Sequence, residues 1–164
     1  MINLSKIKEL LRSDDSVLVF DVDGVLAVLE FGEYNHYEMN DKLWNEANAK
    51  GINYYNEDKV SKKMQQFLKN KNMDNIYVIT TVGHNNEGEF KREYVNKYYN
   101  IKKENLIYVN DNSEKRKALI KIKNKYPNIP DKKIIMIDDT TDILSDIMDN
   151  TNFSTAHISS FLDI

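Results

Sequence analysis

The chain has 164 residues, of which 41% are hydrophobic and 30% charged, and this balance predicts a folded domain rather than a disordered chain. Its formal net charge of −3 predicts no basic surface for nucleic acid or for an anionic membrane. Cysteine is absent, which excludes disulfides, thiolate metal sites and a cysteine nucleophile. Because no apolar run approaches the roughly 20 residues of a membrane span and the charged start lacks a signal-peptide pattern, we expect a cytoplasmic protein.

Apolar runs and helical patterns alternate along the chain, which is typical of an open, mostly parallel α/β sheet. We therefore expect a Rossmann-like three-layer α/β sandwich with a mostly parallel central sheet, in a single domain that covers residues 1–164. The predicted elements, in chain order, are a helix at 4–12, a strand at 17–22, a helix at 58–72, a strand at 76–81, a helix at 87–99, a strand at 106–109, a helix at 113–126 capped by Ser113, a strand at 134–138, a helix at 140–149 and a short strand at 154–158.

Residues 27–57 break this alternation, with one clear helical piece near 39–49. The segment is too short for a domain of its own, so we expect a small insertion beside the functional site. Its ring side chains leave two interpretations open, a platform that stacks on a nucleobase or a small aromatic core that holds the insertion in place, which is the more common arrangement. These residues are Phe31, Tyr34, His36, Tyr37, Trp44, Tyr54 and Tyr55.

Two of the predicted strands end in pairs of carboxylates. The first strand runs into the motif DVDGVL, which contains Asp21 and Asp23, and the fourth ends in Asp138 and Asp139. Because the carboxyl ends of parallel strands meet at one edge of the sheet, we expect all four side chains in one crowded anionic site. Such like charges repel unless a metal or a proton relieves them. Mg²⁺ suits the site best, because this hard cation takes few carboxylates together with waters and phosphate oxygens.

This set of residues predicts phosphoryl transfer. With a metal neutralising the cluster, Asp21 becomes a competent nucleophile towards phosphorus and forms an aspartyl-phosphate. Asp23 is placed to protonate the leaving oxygen and later to deprotonate the attacking water. Thr80 ends the second predicted strand and offers its hydroxyl to a phosphate oxygen. We expect a lysine to complete the phosphate clamp.

In this order the motifs resemble those of the haloacid dehalogenase (HAD) superfamily: a strand ending in DxDGVL, a strand ending in Thr, a lysine, and a strand ending in DD, across residues 17–139. The resemblance implies a HAD-like fold in which Asp21 is the nucleophile and Asp23 the general acid and base. Because the dehalogenase branch lacks a second Asp at that position, the chain is similar to the phosphatase and phosphotransferase branches.

The resemblance also implies a phosphate clamp. The family's threonine maps onto Thr80, with Thr81 as the alternative register. Its lysine maps onto Lys115, in the pattern SEKRKAL near the start of a predicted helix, with Lys117 as the competitor.

For the Mg²⁺ site, the resemblance implies that Asp139 is a direct ligand and that Asp138 supports it directly or through water. Asp21 supplies a further carboxylate, and the metal also takes the backbone carbonyl of Asp23. The resemblance therefore implies a magnesium-dependent enzyme.

The insertion at 27–57 is too small for a large cap domain, so the chain resembles the small-cap or capless members of the family. The predicted function is that of a Mg²⁺-dependent phosphomonoesterase acting on a phosphorylated small molecule. Two alternatives remain open: a nucleotide or polynucleotide phosphatase, and a HAD-fold binding or regulatory module with weak catalysis. Long nucleic acid is disfavoured because phosphate contacts from a basic surface carry most of that affinity, and the fold by itself does not name a substrate.

Overall fold

The structure is a computed structural model that describes residues 4–28, 45–46, 49–56, 59–83 and 86–162. Its helices are α1 (Leu4–Arg12), α2 (Lys62–Leu68), α3 (Glu87–Tyr99), α4 (Lys115–Asn124) and α5 (Thr141–Asn150). Its strands are β1 (Val17–Phe20), β2 (Ala27–Val28), β3 (Lys59–Val60), β4 (Ile76–Thr81), β5 (Leu106–Val109), β6 (Ile134–Asp138) and β7 (Ser154–His157). In the part of the chain described, none of the helices combines the length and apolar character that a membrane span requires.

Five strands form one parallel sheet in the order β5–β4–β1–β6–β7. Strands β1, β4, β5 and β6 are mainly apolar runs, as expected for strands covered on both faces, whereas the edge strand β7 has the mixed sequence STAH. From the central β1 the chain builds β4 and β5 on one side, then crosses to build β6 and β7 on the other. The strand order therefore reverses at β1, and the carboxyl end of that strand is where open α/β sheets bind ligands. The predicted α/β class is confirmed.

Helices cover both faces of the sheet and make three layers. Alternate residues along each strand point to opposite faces, so each strand contributes to two separate cores. One face packs against α1, α2 and α3, through residues that include Leu11, Phe20, Met64, Val78, Val95 and Ile137. The other packs against α4 and α5, through residues that include Val19, Ile79, Leu119, Met136 and Ile147.

Two predicted helices begin later in the structure than the sequence pattern indicates. In place of helix from residue 58, β3 pairs antiparallel with β2, and α2 begins after Ser61, whose hydroxyl accepts the Met64 N–H. The predicted capping role of Ser113 is wrong, because its own N–H donates to the carboxylate of Asp111. Asp111 thus caps a 3₁₀ turn at Asn112–Glu114, and α4 starts after it.

The β2–β3 pair brings together the two ends of the segment that contains the predicted insertion. Most of that segment lies outside the described residues, including the bulk of the helix predicted near 39–49 and the rings of Phe31, Tyr34, His36, Tyr37 and Trp44. Tyr55 is described, and only 2% of it is exposed. Its ring packs 5.7 Å from that of Tyr94 on α3, so Tyr55 belongs to the core and offers no open stacking surface.

Candidate active site

Asp21 lies at the carboxyl end of β1, where the backbone is still tied to the sheet. Its N–H donates to the Ile137 carbonyl over 2.9 Å, and the residue is 7% exposed. One carboxylate oxygen, Oδ2, lies 3.0 Å from the Lys115 Nζ. The other, Oδ1, is buried and has no hydrogen-bond partner among the described residues. Burial raises the pKa of Asp21 to about 7 against the opposing charge of Lys115, and the nearby Asp138 carboxylate adds to the rise.

Lys115 begins α4 and is 2% exposed, whereas Lys117 on the same helix lies in solvent. Burial alone would lower the pKa of Lys115, but the Asp21 and Asp138 carboxylates raise it. The Lys115 Nζ lies 2.9 Å from Asp138 Oδ2, and Asp138 Oδ1 accepts the Thr140 N–H over 2.9 Å. Both oxygens of Asp138 therefore have protein partners, while the lysine joins the ends of β1 and β6.

Gly24 lets the turn after β1 approach the Asp139 carboxylate. Its φ of +73° lies in the left-handed region, and a Cβ there would stand 2.1 Å from Asp139 Oδ2. Only glycine fits both the conformation and the space. Burial, and then the charge of Asp138, raises the pKa of Asp139. The close approach brings Asp139 against the loop that carries Asp23.

The three acids suit a hard cation. Asp21, Asp138 and Asp139 each offer one carboxylate oxygen, and these atoms lie within 4.8 Å of one another. All the donors are oxygens, as Mg²⁺ prefers, and the buried, unpartnered Oδ1 of Asp21 is the kind of atom that a cation would satisfy. The residues present therefore fit a magnesium ion.

Asp23 is held from the side of the DVDGVL turn that is opposite to Lys115. Its Oδ1 accepts a hydrogen bond from the Tyr55 hydroxyl over 2.8 Å, and its Oδ2 lies 2.7 Å from the Lys91 Nζ. The Asp23 side chain is 37% exposed, but that of Lys91 is only 1% exposed. Two buried side chains therefore donate to the two oxygens of a partly exposed carboxylate.

The structure does not bring the Thr80 hydroxyl to the cleft. Thr80 is fully buried, and strand alternation turns it to the same face as Val78, away from the face that carries Ile79. Thr81 points the other way and lines the cleft beside Asp21. Its hydroxyl donates to the Asn112 Oδ1 over 2.6 Å. Counting faces along β4 would have favoured the Thr81 register.

The cleft at this edge has a volume of about 260 Å³. Larger open clefts border α2, but Asp21, Asp23 and Asp139 line this smaller one, and Asp138 is buried behind it in contact with Lys115. The structure thus brings together five of the six predicted site residues, Asp21, Asp23, Lys115, Asp138 and Asp139, and leaves out Thr80. The cleft is lined by Asp21, Asp23, Gly24, Thr81, Asn112, Lys115, Asp139, Thr140 and Ile143.

Sequence reasoning missed Lys91 and its partner Glu87, which are both buried. They lie one turn apart on α3, on the face that continues through Tyr94 and Val95 into the core. Two opposite charges inside an apolar helical stripe were the available signal, because such charges are almost never buried unless they are paired. The role of Asn112 could not be found this way, since it depends on how the loop after β5 folds.

Comparisons with known proteins gave one structural likeness. No protein-family model matches the chain, and no curated protein does. A solved structure of the HAD domain of the effector protein Lem4 from Legionella pneumophila, an inactive mutant, is similar with a TM-score of 0.48 and 14% identity, over 88% of this chain and 86% of that one. A likeness of this degree supports no conclusion about activity, ligands or partners.

Proposed function

We propose that this protein is a Mg²⁺-dependent phosphomonoesterase of the HAD type, working through an aspartyl-phosphate on Asp21. One observation carries the proposal: the Asp21 carboxylate is buried at the carboxyl end of the central strand with one oxygen on Lys115 and the other unpartnered among the described residues. An acid with one oxygen on a cationic side chain and the other without a protein partner suits a nucleophile beside a metal.

In this proposal Asp21, Asp139 and the Asp23 carbonyl would hold the magnesium, and Asp138 would support them through its contacts with Lys115 and Thr140. When bound, the metal supplies positive charge that offsets the crowded carboxylates and the incoming phosphate.

The chain's own residues bind the phosphate. Among the described residues, two of the three Lys115 ammonium protons have partners, on Asp21 and Asp138, which leaves one for a phosphate oxygen. The Thr81 hydroxyl and the Asn112 amide line the same cleft and offer neutral polar groups. We therefore assign the clamp to Lys115 and Thr81, with Thr81 in place of Thr80; to donate to a phosphate oxygen, the Thr81 hydroxyl turns away from Asn112 Oδ1, its acceptor in this structure. These donors stabilise charge on the phosphoryl oxygens in the transition state.

The reaction then takes two displacements. A carboxylate oxygen of Asp21 bonds to phosphorus as the ester P–O bond breaks, and Asp23 gives its proton to the leaving oxygen. A water next attacks phosphorus as the bond to Asp21 breaks, and Asp23 takes the water's proton. Phosphate leaves with both side chains restored to their starting state, so Asp23 serves once as acid and once as base.

Hydrolysis of 4-nitrophenyl phosphate tests the proposal, with Mg²⁺, with EDTA, and with the variant Asp21→Asn. We expect turnover that requires Mg²⁺ and is abolished by Asp21→Asn, because an amide is not a nucleophile towards phosphorus. Turnover that survives the substitution would exclude Asp21 as the nucleophile. A folded protein that binds Mg²⁺ without turnover on any phosphate monoester would favour the alternative of a binding module.

We also propose that the substrate is a phosphorylated small molecule, that residues 1–164 form a single domain, and that the protein is cytoplasmic. The nucleotide alternative depends on aromatic side chains outside the described residues. A panel of phosphorylated metabolites tests it directly: preference for nucleoside monophosphates that Trp44→Ala removes would support it, and equal rates on sugars and nucleotides would exclude it.

A further inference from the structure

Each Asp of the DVDGVL motif has a buried lysine of its own, and only one of these lysines belongs to the phosphate clamp. Lys115 contacts Asp21 from α4, and Lys91 contacts Asp23 from α3. Helices α3 and α4 pack on opposite faces of the sheet. The second lysine therefore reaches the motif from the far side of the sheet, away from the clamp.

Lys91 has no proton to spare for a substrate. Its Nζ lies 2.7 Å from Asp23 Oδ2, 2.7 Å from Glu87 Oε1 and 2.6 Å from the Thr81 carbonyl oxygen. An ammonium group has three N–H donors, so the three acceptors use them all. Burial alone would lower the pKa of Lys91, but the charges of Asp23 and Glu87 raise it, and the lysine stays charged. Its position excludes a role as a phosphate ligand.

Glu87 fixes the position of Lys91 and is itself held in place. While its Oε1 pairs with Lys91, its Oε2 accepts the Gly83 N–H over 2.7 Å. Glu87 is 3% exposed, so both side chains of this ion pair are buried and held in place. Taking an ammonium group out of water costs several kcal/mol, and a structural ion pair would need only Glu87. The additional bond to a partly exposed carboxylate at the cleft has no such packing purpose.

Tyr55 is the second buried residue that donates to the Asp23 carboxylate. The hydroxyl donates to Asp23 Oδ1 while Lys91 holds Oδ2, so both carboxylate oxygens are fixed by donors on buried side chains. Two donors on two oxygens set the plane of a carboxylate as well as its place, which a lone exposed Asp on a turn would not have. Tyr55 lies in the segment between β2 and β3, so the insertion contributes directly to the geometry of the site.

We infer that Tyr55 and Lys91 are positioning residues that orient the Asp23 carboxylate towards the leaving oxygen of the substrate. The inference rests on the proposed function, in which Asp23 protonates that oxygen. Neither residue touches the substrate. Loss of Tyr55 therefore weakens proton donation and leaves phosphate binding by Lys115 and Thr81 in place, whereas loss of Lys91 also removes its bond to the Thr81 carbonyl.

The dependence on the leaving group tests this role. An alkoxide needs a proton in order to leave, whereas 4-nitrophenolate leaves as an anion near neutral pH. The value of kcat/KM reports the first displacement, so we would measure it for an alkyl phosphate monoester and for 4-nitrophenyl phosphate. General acid catalysis contributes about 10²–10⁴-fold. We expect Tyr55→Phe to lower kcat/KM for the alkyl ester about 10-fold more than for the aryl ester, with KM nearly unchanged.

Two further variants separate positioning from damage to the fold. The double variant Lys91→Met with Glu87→Gln removes the buried ion pair without leaving a buried charge alone, because Asp23, the other partner of Lys91, is partly exposed. It should give the same selective loss on the alkyl ester. Tyr94→Phe is the matched control, because its buried hydroxyl donates to the Leu26 carbonyl. We expect that control to lose stability like Tyr55→Phe and to keep the wild-type ratio of the two substrates.

The outcomes distinguish this inference from the proposed function. Equal losses on both substrates in Tyr55→Phe and in the double variant would overturn the positioning role, while Mg²⁺-dependent wild-type turnover that requires Asp21 would leave the proposed function intact. Wild-type protein inactive on both substrates would overturn the two together. A fall in kcat/KM that is confined to the alkyl ester, with a larger fall of the same kind in Asp23→Asn, would establish the inference.

Discussion

At the scale of single residues, the candidate active site is built from groups that cost stability. Asp21 is buried with one oxygen unpartnered among the described residues, and its pKa is raised to about 7, chiefly by burial. Burying a charged carboxylate without full compensation is unfavourable. Enzymes often keep such groups because function requires them, and removing them then stabilises the fold.

We therefore expect Asp21→Asn to raise the melting temperature of the metal-free protein, by more at pH 8 than at pH 5. An ordinary aspartate titrates near pKa 3.9 when unfolded, so between about pH 4 and 7 the folded state binds the extra proton. Stability from this group is then lost as pH rises through that window, and the variant does not share the loss. Thermal unfolding in EDTA at both pH values measures the difference. A difference in melting temperature between Asp21→Asn and wild type that is smaller at pH 8 than at pH 5 would contradict the burial argument.

At the scale of elements, the alternation of faces along β4 decides which threonine side chain reaches the cleft. Thr80 turns to the core shared with α1, α2 and α3, and Thr81 turns to the cleft beside Lys115. The choice follows from the period of two along a strand, because a shift of one residue reverses the face. Adjacent residues of the same type can thus differ completely in function.

The pair Thr81→Val and Thr80→Val tests this assignment with matched chemistry. Loss of a hydrogen bond to the transition state is worth about 1 kcal/mol, so we expect kcat/KM for 4-nitrophenyl phosphate to fall roughly 5- to 10-fold in Thr81→Val. Thr80→Val should keep wild-type kinetics, since its hydroxyl is buried away from the cleft. The reverse pattern would restore Thr80 to the clamp.

At the scale of the whole molecule, the sheet topology concentrates negative charge at one edge. Strands β1 and β6 are neighbours and both end in aspartates. The three acids that could hold a metal come from these two strand ends, so a bound cation would join two parts of the chain more than 110 residues apart in sequence (Asp21 to Asp138 spans 117 positions). Binding to the folded state alone then stabilises the entire fold.

We expect Mg²⁺ to raise the melting temperature and Asp139→Asn to remove most of that rise. Ligand at 100 times its Kd stabilises a protein by about 2.7 kcal/mol, which corresponds to roughly 5–10 °C for a domain of this size. Calorimetry with and without Mg²⁺ measures the shift, and Asp142→Asn is the control because that residue is an exposed acid in the first turn of α5. An unchanged shift in Asp139→Asn would place the metal elsewhere.

Local pattern was enough to predict the α/β class, the five strands of the parallel sheet, and the four aspartates at the strand ends. Apolar runs, their lengths and the residues that follow them are properties of short segments, and parallel strands bring their carboxyl ends together whatever the loops do. That is why Asp21, Asp23, Asp138 and Asp139 could be named together without coordinates.

Only the tertiary structure decided the partners of those acids. Lys115 was distinguished from Lys117 by the rotation of α4 over the sheet, and Thr81 from Thr80 by the facing of β4. Lys91 and Tyr55 reach Asp23 from 68 and 32 positions away. Contacts across such distances depend on how helices pack and how the insertion returns to the core, because no local preference of the chain encodes which side chains will meet.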